Sequence, residues 1–296
     1  MKRDFLALSD FTAAEHAALF QRAHELKALR RRSEPVHTLD GRTLLLLFEK
    51  HSTRTRLSFE AAIGQLGGTA ITLPMQESQI SRGETLADTA AVASRYVDAI
   101  MFRTHADERL RELAKHSSVP VINGLTDGGH PVQLLADLFT VEERFGSVRG
   151  RTIAWVGDGA SNMALSWIEA ARVFGFALRV CAPEGFQPTR GAAFELVNDP
   201  ADAVRGADVV TTDVWISMGQ EKEAAERRRA FATYRVDEAL LARARPDAIV
   251  LHCLPAHRGE EITAGVIDGP QSVVLDEAEN RMHVQKALLE ALIQRP

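Results

Sequence analysis

Two cysteines, Cys181 and Cys253, are the only thiols in 296 residues. They are too few for a disulfide framework, which excludes the disulfide-stapled class and suits a reducing cytoplasm. Lysine is also scarce. Only Lys2, Lys27, Lys50, Lys115, Lys222 and Lys286 occur, so most of the 35 basic residues are arginine and a lone arginine carries little information. No apolar run reaches the roughly 18 residues needed to span a bilayer. The stretch Met1 to Asp10 has no long apolar core and carries Asp4 early, unlike a signal or transit peptide. Excess positive charge is missing too. A formal net charge of −5 argues against nucleic acid or an anionic membrane as partner. Short-period repeats and low-complexity tracts are absent.

What is there is the composition of a globular chain, 45% hydrophobic and 25% charged, long enough for one large or two ordinary domains. Apolar runs at Thr43–Phe48, Thr69–Leu73, Ala99–Phe102 and Pro120–Ile122 read as strands. Helical spacing separates them at Ser52–Leu66, Thr85–Tyr96 and Asp107–His116. Further strands are expected at Thr152–Val156, Leu178–Ala182, Asp208–Thr212, Ala248–Leu251 and Ser272–Leu275. Alternation of this kind predicts an α/β fold with mostly parallel sheets covered by helices on both faces. The expected domains are residues 1–146, including a bridging helix over 131–144, and 147–278. A last helix over 279–296 is expected to pack back across them. In open parallel sheets ligands bind beyond the carboxyl ends of the strands, which is where chemistry should be sought.

Six such strand ends are polar. Ser52-Thr53-Arg54-Thr55-Arg56 follows a strand and opens a helix, where unpaired N–H groups, hydroxyls and guanidinium forks suit a phosphate. The alternative is a capped helix with solvated arginines. Arg103 closes the strand before Thr104-His105. His130 precedes Pro131, a residue suited to a helix's first turn, and Gln133 follows one turn on. A neutral histidine there can donate to a carbonyl oxygen; the alternative is simple capping. Gly157-Asp158-Gly159-Ala160-Ser161-Asn162 has a dinucleotide look, but Asn162 stands where the third glycine belongs, which disfavours NAD. Asn162 could bind an amino or carboxylate group, or only cap a helix. Asp213, with Trp215, Ser217, Met218 and Gly219, could hold an ammonium under an apolar loop. Cys253, in His252-Cys253-Leu254-Pro255, could be a nucleophile, a metal ligand or a positioning thiol. Metal is disfavoured because His252 would point to the opposite face of an extended strand. Arg281, near the start of the last helix, could reach an anion or lie on the surface.

Taken together, these segments resemble the aspartate/ornithine carbamoyltransferase family, in its ornithine branch, over nearly the whole chain. Ser52-Thr53-Arg54-Thr55-Arg56 is similar to the family's carbamoyl-phosphate segment, and His130-Pro131-Val132-Gln133 to its H-P-x-Q element. Asp213-Val214-Trp215-Ile216-Ser217-Met218-Gly219 and His252-Cys253-Leu254-Pro255 resemble elements of the ornithine branch. The resemblance implies carbamoyl-phosphate contacts from Ser52, Thr53, Arg54, Thr55, Arg103, His130, Gln133, Cys253, Leu254 and Arg281, with Gln79 contributed by a neighbouring subunit. It implies ornithine contacts from Asn162, Asp213, Ser217 and Met218, and a catalytic set of Arg54, Arg103, His130, Asp213 and Cys253. Relatives commonly have two asparagines where this chain has Ser161-Asn162. Neither metal nor organic cofactor is implied. The implied reaction is carbamoyl transfer to the δ-amine of ornithine, by a cytoplasmic homotrimer with sites at subunit interfaces. Other readings are transfer to putrescine, N-acetylornithine or aspartate, phosphorolysis of citrulline, a non-catalytic binding protein on the same fold, and a dehydrogenase.

Overall fold

The structure is a computed structural model that describes residues 2–189, 193–217 and 219–294. The chain divides into two compact units, residues 1–139 with 279–296 and residues 140–278.

Unit 1 begins with α1 (Ala13–Arg31), capped by Thr12, whose side chain accepts from Glu15 N while Glu15 reaches back to Thr12 N. Then follow β1 (Thr43–Phe48), α2 (Thr53–Gln65), β2 (Thr69–Pro74), α3 (Leu86–Ala93), β3 (Ala99–Arg103), α4 (Asp107–His116) and β4 (Val121–Leu125). The four strands form a parallel sheet in the order β2-β1-β3-β4. β1 and β3 lie in the middle of that sheet, so their apolar runs are continuous and buried. β2 is an edge strand and half-exposed. One face of the sheet packs Leu45, Leu47, Ile100 and Phe102 against Leu86, Ala90, Leu110 and Leu113 of α3 and α4.

Between Phe102 and Arg103 the register against β4 shifts by one residue, skipping Gly124. A Cβ at Gly124 would come within 2.1 Å of Met101 Sδ, so any larger residue at this bulge would require the buried Met101 side chain to move. The chain then passes into α5 (Pro131–Phe145), within which unit 1 gives way to unit 2.

Unit 2 contains β5 (Thr152–Val156), α6 (Asn162–Phe174), β6 (Ala177–Cys181), β7 (Glu195–Val197), α7 (Pro200–Val204), β8 (Val209–Thr211), α8 (Ala224–Ala230), α9 (Glu238–Leu241), β9 (Ile249–Leu251) and α10 (Ala264–Ile267). Its parallel sheet has the order β7-β6-β5-β8-β9. Ala154, Val156, Val210 and Val250 pack with Ala203, Val204, Leu241 and Val266 in its core. α11 (Val274–Ile293) returns the chain to unit 1 from Glu279 onward.

The α/β class with two parallel sheets agrees with the sequence. The strand expected at Ser272–Leu275 does not form. Ser272 makes one isolated bridge to Val250, and α11 starts at Val274, with Asp276 and Glu277 favouring its positive end.

Candidate active site

The strand order of each unit reverses at its first strand. In unit 1 the chain steps from β1 to β2 on one side and to β3 on the other, so the switch point lies between β1 and β3. In unit 2 it lies between β5 and β8. A crevice at such a point is where an open parallel sheet accepts a ligand.

At the unit 1 switch point Phe48 and Arg103 are paired in register, so the turn after β1 and the Arg103 side chain leave the sheet at the same level. Ser52 caps α2 by accepting from Thr55 N at 3.2 Å. Thr53, Arg54 and Thr55 form the first helical turn, where backbone N–H groups favour an anion. Arg56 faces away and is bonded to Glu60 at 2.9 Å, one turn along. Thr55 is buried, and its hydroxyl accepts from Arg281 Nη2 at 2.8 Å. Arg281 also donates through Nη1 to Gln133 Oε1. Gln133 in turn donates from Nε2 to Asp137 Oδ1 at 2.7 Å.

His130 sits where the sequence expected it, at the start of α5, with its carbonyl accepting from Gln133 N and Leu134 N. Its imidazole is 4% exposed and is held well below the usual histidine range. Burial is the main cause, followed by the positive charges of Arg281, Arg103 and Arg54. Three guanidinium groups from three different elements thus act on one neutral ring. Gln79, by contrast, is exposed in a 3-10 turn, and among the described residues its side chain has no hydrogen bond to this cluster.

At the unit 2 switch point Ser161 is the cap of α6, accepting from Ala164 N at 3.2 Å and donating to Asp158 O at 2.8 Å. Capping is therefore not the task of half-buried Asn162, the first helical residue. Asp213 follows β8, and its Oδ1 accepts from Val214 N at 2.8 Å and from Cys253 Sγ at 3.3 Å. Burial pushes its carboxyl above the ordinary range, against the opposing pull of His252 and these hydrogen bonds. Ser217 N donates to Gln220 Oε1 at 3.0 Å, which folds the loop back on itself. Met218 lies outside the described residues.

The loop is anchored by Arg227 on α8. Its Nε donates to Trp215 O at 2.5 Å, and its Nη2 to Asp158. The guanidinium lies over Phe186 and Phe231, and Trp215 stacks on Phe231. One buried arginine therefore ties the loop after β5 to the loop after β8.

Cys253 and Leu254 follow β9, and Leu254 has φ of +56° ahead of a cis bond to Pro255. His252 does not point away from Cys253 as an extended strand would require. β9 ends at Leu251, and beyond it alternation no longer holds. Asp213, His252 and Cys253 bring their ligand atoms within 4.8 Å of one another. Both ring nitrogens of His252 are nevertheless committed within the protein. Nδ1 accepts from Leu254 N at 2.9 Å, so Nε2 carries the proton towards Glu261 Oε1 at 3.1 Å. Fully buried Glu261 also accepts from His257 N at 2.6 Å. A metal would have to displace these bonds. Cys181 closes β6 in the core, and burial raises its thiol to about 12, which makes it inert at neutral pH.

Asp137, Asp158, Arg227, His252 and Glu261 thus support the site without having been singled out as site residues. Only Asp137 had a readable signal, its spacing of one helical turn from Gln133.

Residues 3–143 match the family model described as aspartate/ornithine carbamoyltransferase, carbamoyl-P binding domain, and residues 149–292 the one described as its Asp/Orn binding domain. The chain is 52% identical over 298 residues to an ornithine carbamoyltransferase of Paracidovorax citrulli, covering 98% of this chain and 96% of that one. It is 54% identical to that of an Azoarcus species, with the same coverage. Among solved structures, the ornithine carbamoyltransferase of Pyrococcus furiosus superposes with a TM-score of 0.95 at 47% identity, covering 100% of this chain and 98% of that one. That of Burkholderia thailandensis gives 0.91 at 49% identity, covering 98% of both.

Proposed function

This chain belongs to the aspartate/ornithine carbamoyltransferase family, and from that premise we propose that its two units divide one reaction, unit 1 taking carbamoyl phosphate and unit 2 taking L-ornithine. The enzyme transfers the carbamoyl group to the δ-amine of ornithine, giving L-citrulline and phosphate. The observation that carries the donor half is the convergence of Arg54, Arg103 and Arg281 on a buried, neutral His130.

Carbamoyl phosphate has a carbonyl carbon deactivated by its amide nitrogen and a leaving group with several negative charges. Arg54, Arg103, Arg281 and the α2 N-terminus stabilise the charge that builds on the phosphate. Thr55, Arg103 and neutral His130 donate to the carbonyl oxygen as it becomes an oxyanion, and Gln133 Oε1 accepts from the carbamoyl NH₂. A protonated His130 would repel the three arginines, whose field adds to burial in keeping the ring neutral.

On the acceptor side the attacking amine must be uncharged, yet free ornithine carries a Lys-like ammonium at neutral pH. Asp213 and Cys253 position that amine once it has given one proton to solvent, and the proton shed on forming the C–N bond leaves with the phosphate. Asn162 and Ser217 take the α-substituents. Cys253 acts as a positioning group rather than a covalent nucleophile. Holding both substrates in reacting geometry supplies much of the acceleration. No step requires a metal or an organic cofactor.

We infer a role in arginine synthesis for a cytoplasmic homotrimer in which Gln79 joins a neighbouring subunit's donor site. The exposure of Gln79, and of Leu57, Ile71, Val92 and Tyr96 on unit 1, supports that arrangement. The test is a citrulline assay with carbamoyl phosphate and an amine panel. Turnover with ornithine well above putrescine, N-acetylornithine and aspartate is expected, and no citrulline, or preference for another amine, overturns the reading.

A further inference from the structure

The Gln133 carboxamide is held between two groups of opposite hydrogen-bonding character. Arg281 donates to its Oε1, and its Nε2 donates to Asp137 Oδ1 at 2.7 Å. A guanidinium has only donors, and an ionised carboxylate only acceptors. Turning the amide over would set donor against donor at one end and acceptor against acceptor at the other. Gln133 and Asp137 are each 1% exposed, so solvent is poorly placed to repair such a mismatch. They lie one turn apart on the same helix, which fixes their facing geometry.

We propose that Asp137 is a positioning residue that sets acyl-donor specificity: it holds Gln133 Nε2, keeps Oε1 turned outward as an acceptor, and thereby selects an acyl phosphate bearing NH₂ over one bearing CH₃. The proposal rests on reading unit 1 as the carbamoyl-phosphate unit. Carbamoyl phosphate and acetyl phosphate share a phosphate and a carbonyl and are nearly equal in size. The arginines, Thr55 and His130 grip what the two have in common. Discrimination therefore falls to the group that meets the NH₂. A carbonyl oxygen has two lone pairs, so Oε1 serves Arg281 and the NH₂ together. Sites that hydrogen-bond a substrate N–H reject an analogue lacking it far better than apolar pockets reject a small change of size.

The experiment measures Kd by calorimetry for carbamoyl phosphate, acetyl phosphate and inorganic phosphate, on wild type, Asp137→Leu and Asp137→Asn. Wild type is expected to prefer carbamoyl over acetyl phosphate by at least about tenfold, the worth of one buried hydrogen bond. Asp137→Leu, which leaves Arg281 alone to orient the amide, should reduce that preference while phosphate binding changes by less than about twofold. Asp137→Asn should restore it, because its Oδ1 still accepts from Nε2. If Asp137→Leu does not fold, Asp137→Ser, which is too short to reach Nε2, takes its place in the same comparison. Weakening of all three ligands by one common factor would mean a merely structural role and overturn the proposal. Equal wild-type affinity for the two acyl phosphates also overturns it. A preference that is present without any citrulline formation supports the amide lock and faults the assigned reaction instead.

Discussion

Cys253 Sγ donates to Asp213 Oδ1 at 3.3 Å across 40 residues of sequence. The cause is register. Thr211 of β8 pairs with Leu251 of β9, and Asp213 and Cys253 each lie two positions further on, so neighbouring parallel strands deliver thiol and carboxylate at the same height. A one-residue slip of β9 would put His252 in place of Cys253 and break the pairing.

Asp213→Asn keeps the shape and removes the charge offered to the amine. We expect kcat/KM for ornithine to fall roughly a hundredfold, as for loss of a buried charge-assisted bond, with inhibition by phosphate unchanged. Cys253→Ser should retain measurable turnover. Complete inactivity with a trapped acyl-cysteine in mass spectrometry would refute the positioning role of the thiol.

Arg54→Gly removes a guanidinium from the first turn of α2. Citrulline formation should fall by about a thousandfold or more, comparable to losing a main oxyanion-type donor. Thermal unfolding should stay close to wild type, because Arg54 lies at a helix end rather than in the core. Near-normal turnover would sink the phosphate assignment.

Acid should destabilise the protein through buried histidines. His130 is held well below the usual range, chiefly by burial and then by three arginines, and His283 is lowered to about 4, chiefly by burial and then by Lys286. Each ring binds fewer protons folded than unfolded below the ordinary histidine value of about 6.5. The stabilisation is therefore complete above that pH and is lost as pH falls towards the folded values. The slope is about 1.4 kcal/mol per pH unit for each histidine. Urea midpoints from pH 7 to pH 5 should fall steeply, and His283→Gln should flatten the curve. A midpoint independent of pH across that range contradicts the assignment.

Arg227→Met leaves Asp158 as an uncompensated buried carboxylate, since their side chains are only 4% and 7% exposed. The cost should be about 3–5 kcal/mol, and adding Asp158→Asn should return part of it. Because Arg227 also holds Trp215, KM for ornithine should rise much more than KM for carbamoyl phosphate. Equal rises in both constants would leave the arginine a purely structural part.

Much of this was readable from the chain. β1 and β3 are central strands of a parallel sheet, so their apolar runs are unbroken and unmistakable. β7 was missed because Glu195–Val197 is a short, largely exposed edge with no pattern to find. The run Ser272–Leu275 misled because valines favour strands, while the acids just after them open a helix. Candidate residues that end a strand or start a helix could be proposed from position alone. Their supports could not. Arginine is so common here that Arg227 carried no signal, and the pairing of His252 with Glu261 depends on a loop whose path no local pattern encodes.

The bond between Thr55 and Arg281 spans 226 residues, and the whole of unit 2 lies between them in sequence. Unit 1 is therefore discontinuous in time as well as in sequence. During synthesis from the N-terminus its sheet is made first, but the arginine that joins Thr55 and Gln133 arrives only after every residue of the other unit has been translated. A chain stopped anywhere after Phe139 and before Arg281 would carry the sheet of unit 1 with an unfinished anion cluster. Closure over so long a separation should be among the late events of folding, so the ability to grip a phosphate would report that the whole chain, and not only its first half, has been made.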